Sequence, residues 1–120
     1  MLTSERSVLL VDADPAVRDS LKTLMDLNGF AVRSFSTGAA FLRAVDDSHI
    51  HCVICEADLP DTSGIRIYQH LQQLDADLPF ALLVSGINST VVRSARSVGI
   101  SQIFQKPLVY RRLLNFVSSC

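Results

Sequence analysis

The stretch Ser7-Val8-Leu9-Leu10-Val11-Asp12-Ala13-Asp14-Pro15-Ala16-Val17-Arg18 decides how the rest of the chain is read. Val8 to Val11 is a run of strand length, apolar at every position, as expected of a strand covered on both faces. It ends in acids, and Asp14-Pro15 then opens a helix, with an oxygen acceptor at the cap and proline at the first helical position. Val17, Leu21, Leu24 and Met25 recur at helical spacing, and Asn28-Gly29 stops the helix. A strand, an acidic loop and an amphipathic helix thus follow one another within the first 29 residues.

The same unit returns along the chain. Strand-length runs recur at Phe30–Phe35, Ile50–Cys55, Phe80–Val84 and Ser101–Phe104. Each is followed by helical periodicity: near Thr37 (Ala40, Phe41, Leu42, Val45), near Gly64 (Ile65, Ile67, Leu71, Leu74), near Asn88 (Val91, Val92, Ala95, Val98) and after Pro107 (Leu108, Leu113, Leu114, Val117). Five alternating units predict an α/β fold with a doubly wound, five-stranded parallel sheet. With 120 residues, one domain is expected, with its core over about residues 7–118. In such sheets ligands gather at the carboxyl ends of the strands, beside the switch in strand order.

Composition narrows the function classes. The chain is 48% hydrophobic and 19% charged, neither disordered nor fibrous, and its first apolar run is too short for a signal peptide or a membrane span, so a cytoplasmic location is expected. Net charge is −1, but residues 80–120 carry Arg93, Arg96, Lys106, Arg111 and Arg112 with no acid. That imbalance reads either as a solvated helix surface or as a basic docking face. Cys52 and Cys55 form a C-x-x-C inside a strand rather than at a helix N-terminus; residues i and i+3 of a strand point to opposite faces, so the two are read as buried structural thiols.

The strand ends carry the chemistry: Asp12-Ala13-Asp14 after the first, Glu56-Ala57-Asp58 after the third, Ser85-Gly86 after the fourth, and Gln105-Lys106-Pro107 after the fifth. An isolated aspartate at a strand end is as readily a helix cap, and Lys106 alone a solvated loop charge. Together they place carboxylates suited to a hard cation, a hydroxyl and an ammonium in one cleft.

These residues resemble a response-regulator receiver domain of the CheY-like superfamily over nearly the whole chain, from Ser7 to Val117. The resemblance rests on Val8-Leu9-Leu10-Val11-Asp12 leading into Pro15-Ala16-Val17-Arg18, on Leu59-Pro60-Asp61-Thr62-Ser63-Gly64, on Ser85 and on Lys106-Pro107. Local wording is similar to nitrogen-fixation-type regulators, in which a receiver precedes a helix-turn-helix domain. The resemblance implies a flavodoxin-like fold, a two-component signalling role in transcription regulation, and an output domain outside this chain. It also implies a phosphoacceptor aspartate after the third strand, an acidic pair for Mg²⁺, and a hydroxyl and a lysine for the phosphoryl oxygens. A face formed by the fourth helix, fifth strand and fifth helix would change shape.

Two positions depart from that pattern. Glu56, eight residues before Gly64, stands where the family has its phosphoacceptor, and Ala13 stands where it has a direct Mg²⁺ ligand. Asp12, Glu56 and Asp58 remain as candidate ligands, so Mg²⁺ binding is expected to be weak or absent and no other cofactor is expected. A carboxylate one methylene further out is displaced for in-line attack, and an unneutralised phosphoryl group transfers slowly. The reading is an atypical, phosphorylation-independent signalling module and not an enzyme. Its Glu56 reaches toward Lys106 and Ser85, either imitating the active state or merely filling a dead site. Ile103, three before Lys106, replaces an aromatic found in many receivers.

The expected docking face carries Val91, Arg93, Arg96, Ile103, Arg111 and Arg112, with Val92 and Leu108 alongside. With no acid there to complete reciprocal salt bridges, an acidic protein partner or a homodimer on apolar contacts fits. No aromatic platform accompanies the arginines, which argues against nucleic acid. Two enzymatic alternatives stand beside this reading: a phosphorylatable receiver using Glu56 or Asp58 with a divalent metal, and a haloacid dehalogenase-like phosphatase using Asp12-Ala13-Asp14. The second lacks room for a cap domain and an acidic pair after the fourth strand.

Overall fold

The computed structural model describes residues 7–45, 50–74, 77–86 and 89–120. Five strands, β1 (Ser7–Val11), β2 (Ala31–Phe35), β3 (Ile50–Glu56), β4 (Phe80–Ser85) and β5 (Gln102–Lys106), alternate with five helices. The helices are α1 (Pro15–Leu27), α2 (Gly38–Ala44), α3 (Gly64–Gln73), α4 (Ser89–Ser97) and α5 (Tyr110–Ser119). All pairings are parallel and the strand order is β2-β1-β3-β4-β5, so the order reverses between β1 and β3. This is the flavodoxin-like doubly wound architecture, with its switch point at the carboxyl ends of β1 and β3.

Alternation along the strands divides the core into two layers. Leu9, Val11, Val53, Cys55, Leu82 and Val84 pack with Phe41, Ile67 and Ala95 from α2, α3 and α4. Val8, Leu10, Cys52, Ile54, Ala81 and Leu83 pack with Leu21, Met25, Leu113 and Val117 from α1 and α5. Cys52 and Cys55 therefore lie in opposite layers, as period-two geometry requires.

Several boundaries differ from the sequence expectation. β3, β4 and β5 run on to Glu56, Ser85 and Lys106, so these polar residues end ladders instead of following them. Leu74, expected on the apolar face of α3, is the residue after that helix and is exposed, because the helix closes at Gln73. α5 opens at Tyr110, later than the position after Pro107, with Val109 extended at the cap and Leu108 packed against the α1/α5 layer. The start expected for α4 near Asn88 lies outside the described residues.

Local chemistry accounts for the helix starts. Asp14 caps α1 through Ala16 N–H, Thr37 caps α2 through Ala40 N–H, and Ser63 caps α3 through Arg66 N–H. Asp61 also clamps α2 from the β3–α3 loop, its two carboxylate oxygens accepting from Gly38 and Ala39 N–H at 2.9 Å each. Those backbone bonds hold the Asp61 carboxyl below the ordinary aspartate range.

Candidate functional site

The carboxyl ends of β1, β3 and β5 deliver Asp12, Glu56 and Lys106 to one point. Asp12 is fully buried, and its carboxylate is fixed on one side by Asp14 N–H, which donates to Oδ1 at 2.9 Å. Its other oxygen, Oδ2, lies 2.8 Å from Lys106 Nζ, an ion pair without hydrogen-bond alignment. The Asp12 backbone carbonyl accepts from Arg18 Nη1 at 2.7 Å, so the first turn of α1 is tied to the same residue.

Glu56 spans the gap between the two loops. Oε1 accepts from Ala13 N–H at 3.0 Å, and Oε2 accepts from Lys106 Nζ at 3.1 Å. Neither oxygen bonds the exposed Ser85 hydroxyl among the described residues. Lys106 thus bridges two carboxylates, with side-chain exposures of 17% for Lys106, 12% for Glu56 and 0% for Asp12. Burial alone would lower the Lys106 ammonium, but the contacts with Asp12 and Glu56 outweigh it and raise it above the ordinary lysine value.

Behind Glu56, close packing leaves room only for glycine. A Cβ on Gly64 would stand 2.6 Å from the Glu56 carbonyl oxygen and 2.5 Å from Leu82 Cδ1. Gly64 N–H instead donates to the Ala57 carbonyl at 2.9 Å, folding the loop 57–64 back on β3. In front of Glu56 a shallow depression of about 420 Å³ is lined by Ala13, Asp14, Glu56, Asp58, Leu59 and Pro60. Asp58 is exposed at its rim and Asp14 is committed to capping α1.

The donor set does not fit a tightly held Mg²⁺. That ion demands near-octahedral oxygens, whereas Ala13 offers no carboxylate and the oxygens of Asp12 and Glu56 that converge do so on an ammonium. Lys106 already supplies the positive charge there.

The residues of the expected docking face lie on α4, β5 and α5. Arg93, Arg96, Arg111 and Arg112 are exposed on α4 and α5. Val91 and Ile103 are half-buried against the α2/α3/α4 layer, while Leu108 packs against the α1/α5 layer. Ile103 and Phe104 point to opposite faces of β5. Sequence reasoning did not single out Arg18 or Asp61 for a role; the signal for Asp61 was its place in a Pro-Asp turn, which does not name the amides it holds.

Comparisons with known proteins agree with this geometry. Residues 8–118 match the model of the response regulator receiver domain. The transcriptional regulatory protein FixJ of Bradyrhizobium diazoefficiens is 26% identical over 118 residues, covering 98% of this chain and 58% of the relative. The transcriptional regulatory protein GltR of Pseudomonas aeruginosa is 31% identical over 116 residues, covering 95% of this chain and 48% of the relative. This chain thus spans about half the length of these curated relatives. The crystal structure of full-length FixJ from B. japonicum superposes with a TM-score of 0.87 at 26% identity, covering 98% of this chain and 58% of that one. A receiver protein from Pseudomonas putida superposes with a TM-score of 0.89 at 16% identity over 99% of this chain and 100% of that one, a likeness of fold. The switch-point cleft, the five-unit fold and the family match converge: this chain belongs to the response regulator receiver domain family, the signalling modules of two-component systems.

Proposed function

We propose that this receiver signals without being phosphorylated, with Glu56 holding Lys106 in the way a phosphoryl oxygen would. The observation that carries the reading is the Glu56 carboxylate closed between Ala13 N–H and Lys106 Nζ. Three features support it. The acceptor position carries an acid one methylene too long for the geometry of in-line transfer, Ala13 leaves the metal side short of a ligand, and Lys106 is already neutralised. The contact with Ser85 that would complete a phosphoryl-like arrangement is not made, so the imitation acts through the lysine alone.

In this reading the chain is an interaction module of a cytoplasmic regulator and not an enzyme. Its basic α4–β5–α5 side takes an acidic protein partner or a second copy, and a DNA-binding output domain lies outside these residues, since the curated transcriptional regulators it matches are about twice as long. Glu56, Glu56→Gln and Glu56→Asp proteins are to be compared in oligomeric state and partner binding, and in intact mass after incubation with a small phosphodonor and Mg²⁺. The parent is expected to gain no phosphoryl group, and Glu56→Gln to change association. A stable phosphoryl adduct on the parent that Glu56→Gln or Asp58→Asn abolishes would establish the phosphorylatable alternative. Equal association of parent and Glu56→Gln would leave a dead site in place of a mimic.

A further inference from the structure

We propose that the opposite end of the sheet holds a site for a thiophilic d¹⁰ cation such as Zn²⁺, built from His51, Cys52 and Cys120. One ring nitrogen of His51 and the two thiol sulfurs lie within 4.8 Å of one another. Nothing in the receiver chemistry uses these residues, and they sit at the amino end of β3, away from Glu56.

A backbone irregularity makes the cluster. β1 pairs Ser7 with Ile50 and Val8 with Cys52, so His51 is an extra residue opposite one step of β1. Such a bulge breaks the alternation of faces, letting two adjacent side chains serve the same side of the sheet. Cys52 packs in the α1/α5 layer with Phe30 and Val117, and His51 reaches the same side. Its ring stacks on Phe30 with centroids 5.6 Å apart, and Nε2 lies 2.8 Å from the Val117 carbonyl. A carbonyl only accepts, so Nε2 carries the hydrogen in this contact and Nδ1 is the atom left to be offered to a metal, with the other ring N–H held by a carbonyl as is common for metal-bound histidines. The last turn of α5 then brings Cys120, whose thiol donates to the Phe116 carbonyl at 3.1 Å.

The donors suit the cation in kind and charge. Two thiolates with one imidazole are the protein ligands of some three-ligand zinc sites, and they neutralise a divalent ion in a half-buried place. Tetrahedral coordination at Zn–S of about 2.3 Å and Zn–N of about 2.0 Å puts ligand atoms roughly 3.5–3.8 Å apart. Closing from 4.8 Å therefore needs a shift of about 1 Å, which the exposed Cys120 side chain can supply. Each thiol gives up its proton to solvent on binding, so affinity rises with pH. Loading would tie the end of α5 to β3, the helix that borders the basic side.

The reduced 120-residue chain is to be titrated with Co²⁺ as a spectroscopic probe and then with Zn²⁺ in competition. One equivalent of Co²⁺ is expected to give thiolate charge-transfer absorption, which carboxylates of the Glu56 cleft cannot produce, and Zn²⁺ is expected to displace it. Cys120→Ser, at an exposed position, should keep the parent's urea midpoint while weakening Zn²⁺ at least tenfold. Zn²⁺ should also slow air oxidation of Cys52 and Cys120 in the parent. Absence of the charge-transfer band, indifference of affinity to Cys120→Ser, or closure of a Cys52–Cys120 disulfide at the same rate with and without Zn²⁺ would each overturn the assignment.

Discussion

At its carboxyl end β3 delivers Glu56 to an ammonium already held by a buried aspartate, whereas at its amino end it delivers His51 and Cys52 to the solvent-facing end of a helix. The first site is closed by its own charges: one lysine between two carboxylates, with Ala13 N–H taking the remaining Glu56 oxygen that would face an incoming ligand. The second gathers soft donors, one imidazole and two thiols. One strand thus carries an internally satisfied ionic site and a site whose charge balance would come from outside. Buried charge is tolerated only when paired, whereas neutral thiols and imidazole can stay buried without a counter-ion.

The largest expected effect comes from removing the cation of the closed site. Lys106→Ala leaves Asp12 and Glu56 facing each other with Asp12 fully buried, and should cost about 3 kcal/mol in urea unfolding. Adding Glu56→Gln to it should recover part of that loss; a loss under about 1 kcal/mol for Lys106→Ala alone would mean the ionic closure described here contributes little. Next in size is Gly64→Ala, whose Cβ would meet the Glu56 carbonyl oxygen at 2.6 Å. It should cost about 2 kcal/mol and shift the amide resonances of Ala13 and Glu56; unshifted resonances would uncouple the glycine from the site.

Asp14→Ala removes the α1 cap at Ala16 N–H and should cost about 1 kcal/mol by the same unfolding assay. If the loss approached that of Lys106→Ala, Asp14 would belong to the charge cluster and not to the cap alone. The smallest effect is a titration. Asp61 is held below its ordinary pKa of 3.8 by the Gly38 and Ala39 amides, so its contribution is present above the unfolded value and lost as pH falls through the lower, folded one. Protection factors at Gly38 and Ala39, which correct for the intrinsic pH dependence of amide exchange, should fall only below about pH 4, and in Asp61→Asn protection should already be lower at neutral pH with no further step in acid.

The fold was legible because its signals are local. Val8 to Val11 and Ala81 to Val84 read as fully covered strands from their unbroken apolar character, and Asp14-Pro15 announced its helix through cap chemistry that needs no distant partner. The alternation then implied a parallel sheet, and its switch point told where to look for Asp12, Glu56, Ser85 and Lys106. Less visible were events depending on how segments meet. Leu108 read both as part of the fifth helix's apolar face and as a neighbour of the docking arginines; it precedes α5, which opens at Tyr110, and packs into the α1/α5 layer. The Glu56 reach toward Ser85 was equally open in one dimension; in three, its second oxygen accepts from Ala13 N–H.

His51 shows the division most clearly. By alternation alone it faces away from Cys52, and no spacing rule joins either residue to Cys120, 68 positions beyond Cys52. The sequence by itself determined the five βα units, the two core layers, the presence of Glu56 and Ala13 at two strand ends, and the charge imbalance, because period and residue type suffice for those. Only the tertiary structure decided that Lys106 closes on two carboxylates and that a bulge brings imidazole and thiols to the end of α5. Both depend on register between strands distant in sequence, and a one-residue slip in register exchanges the faces of every side chain beyond it.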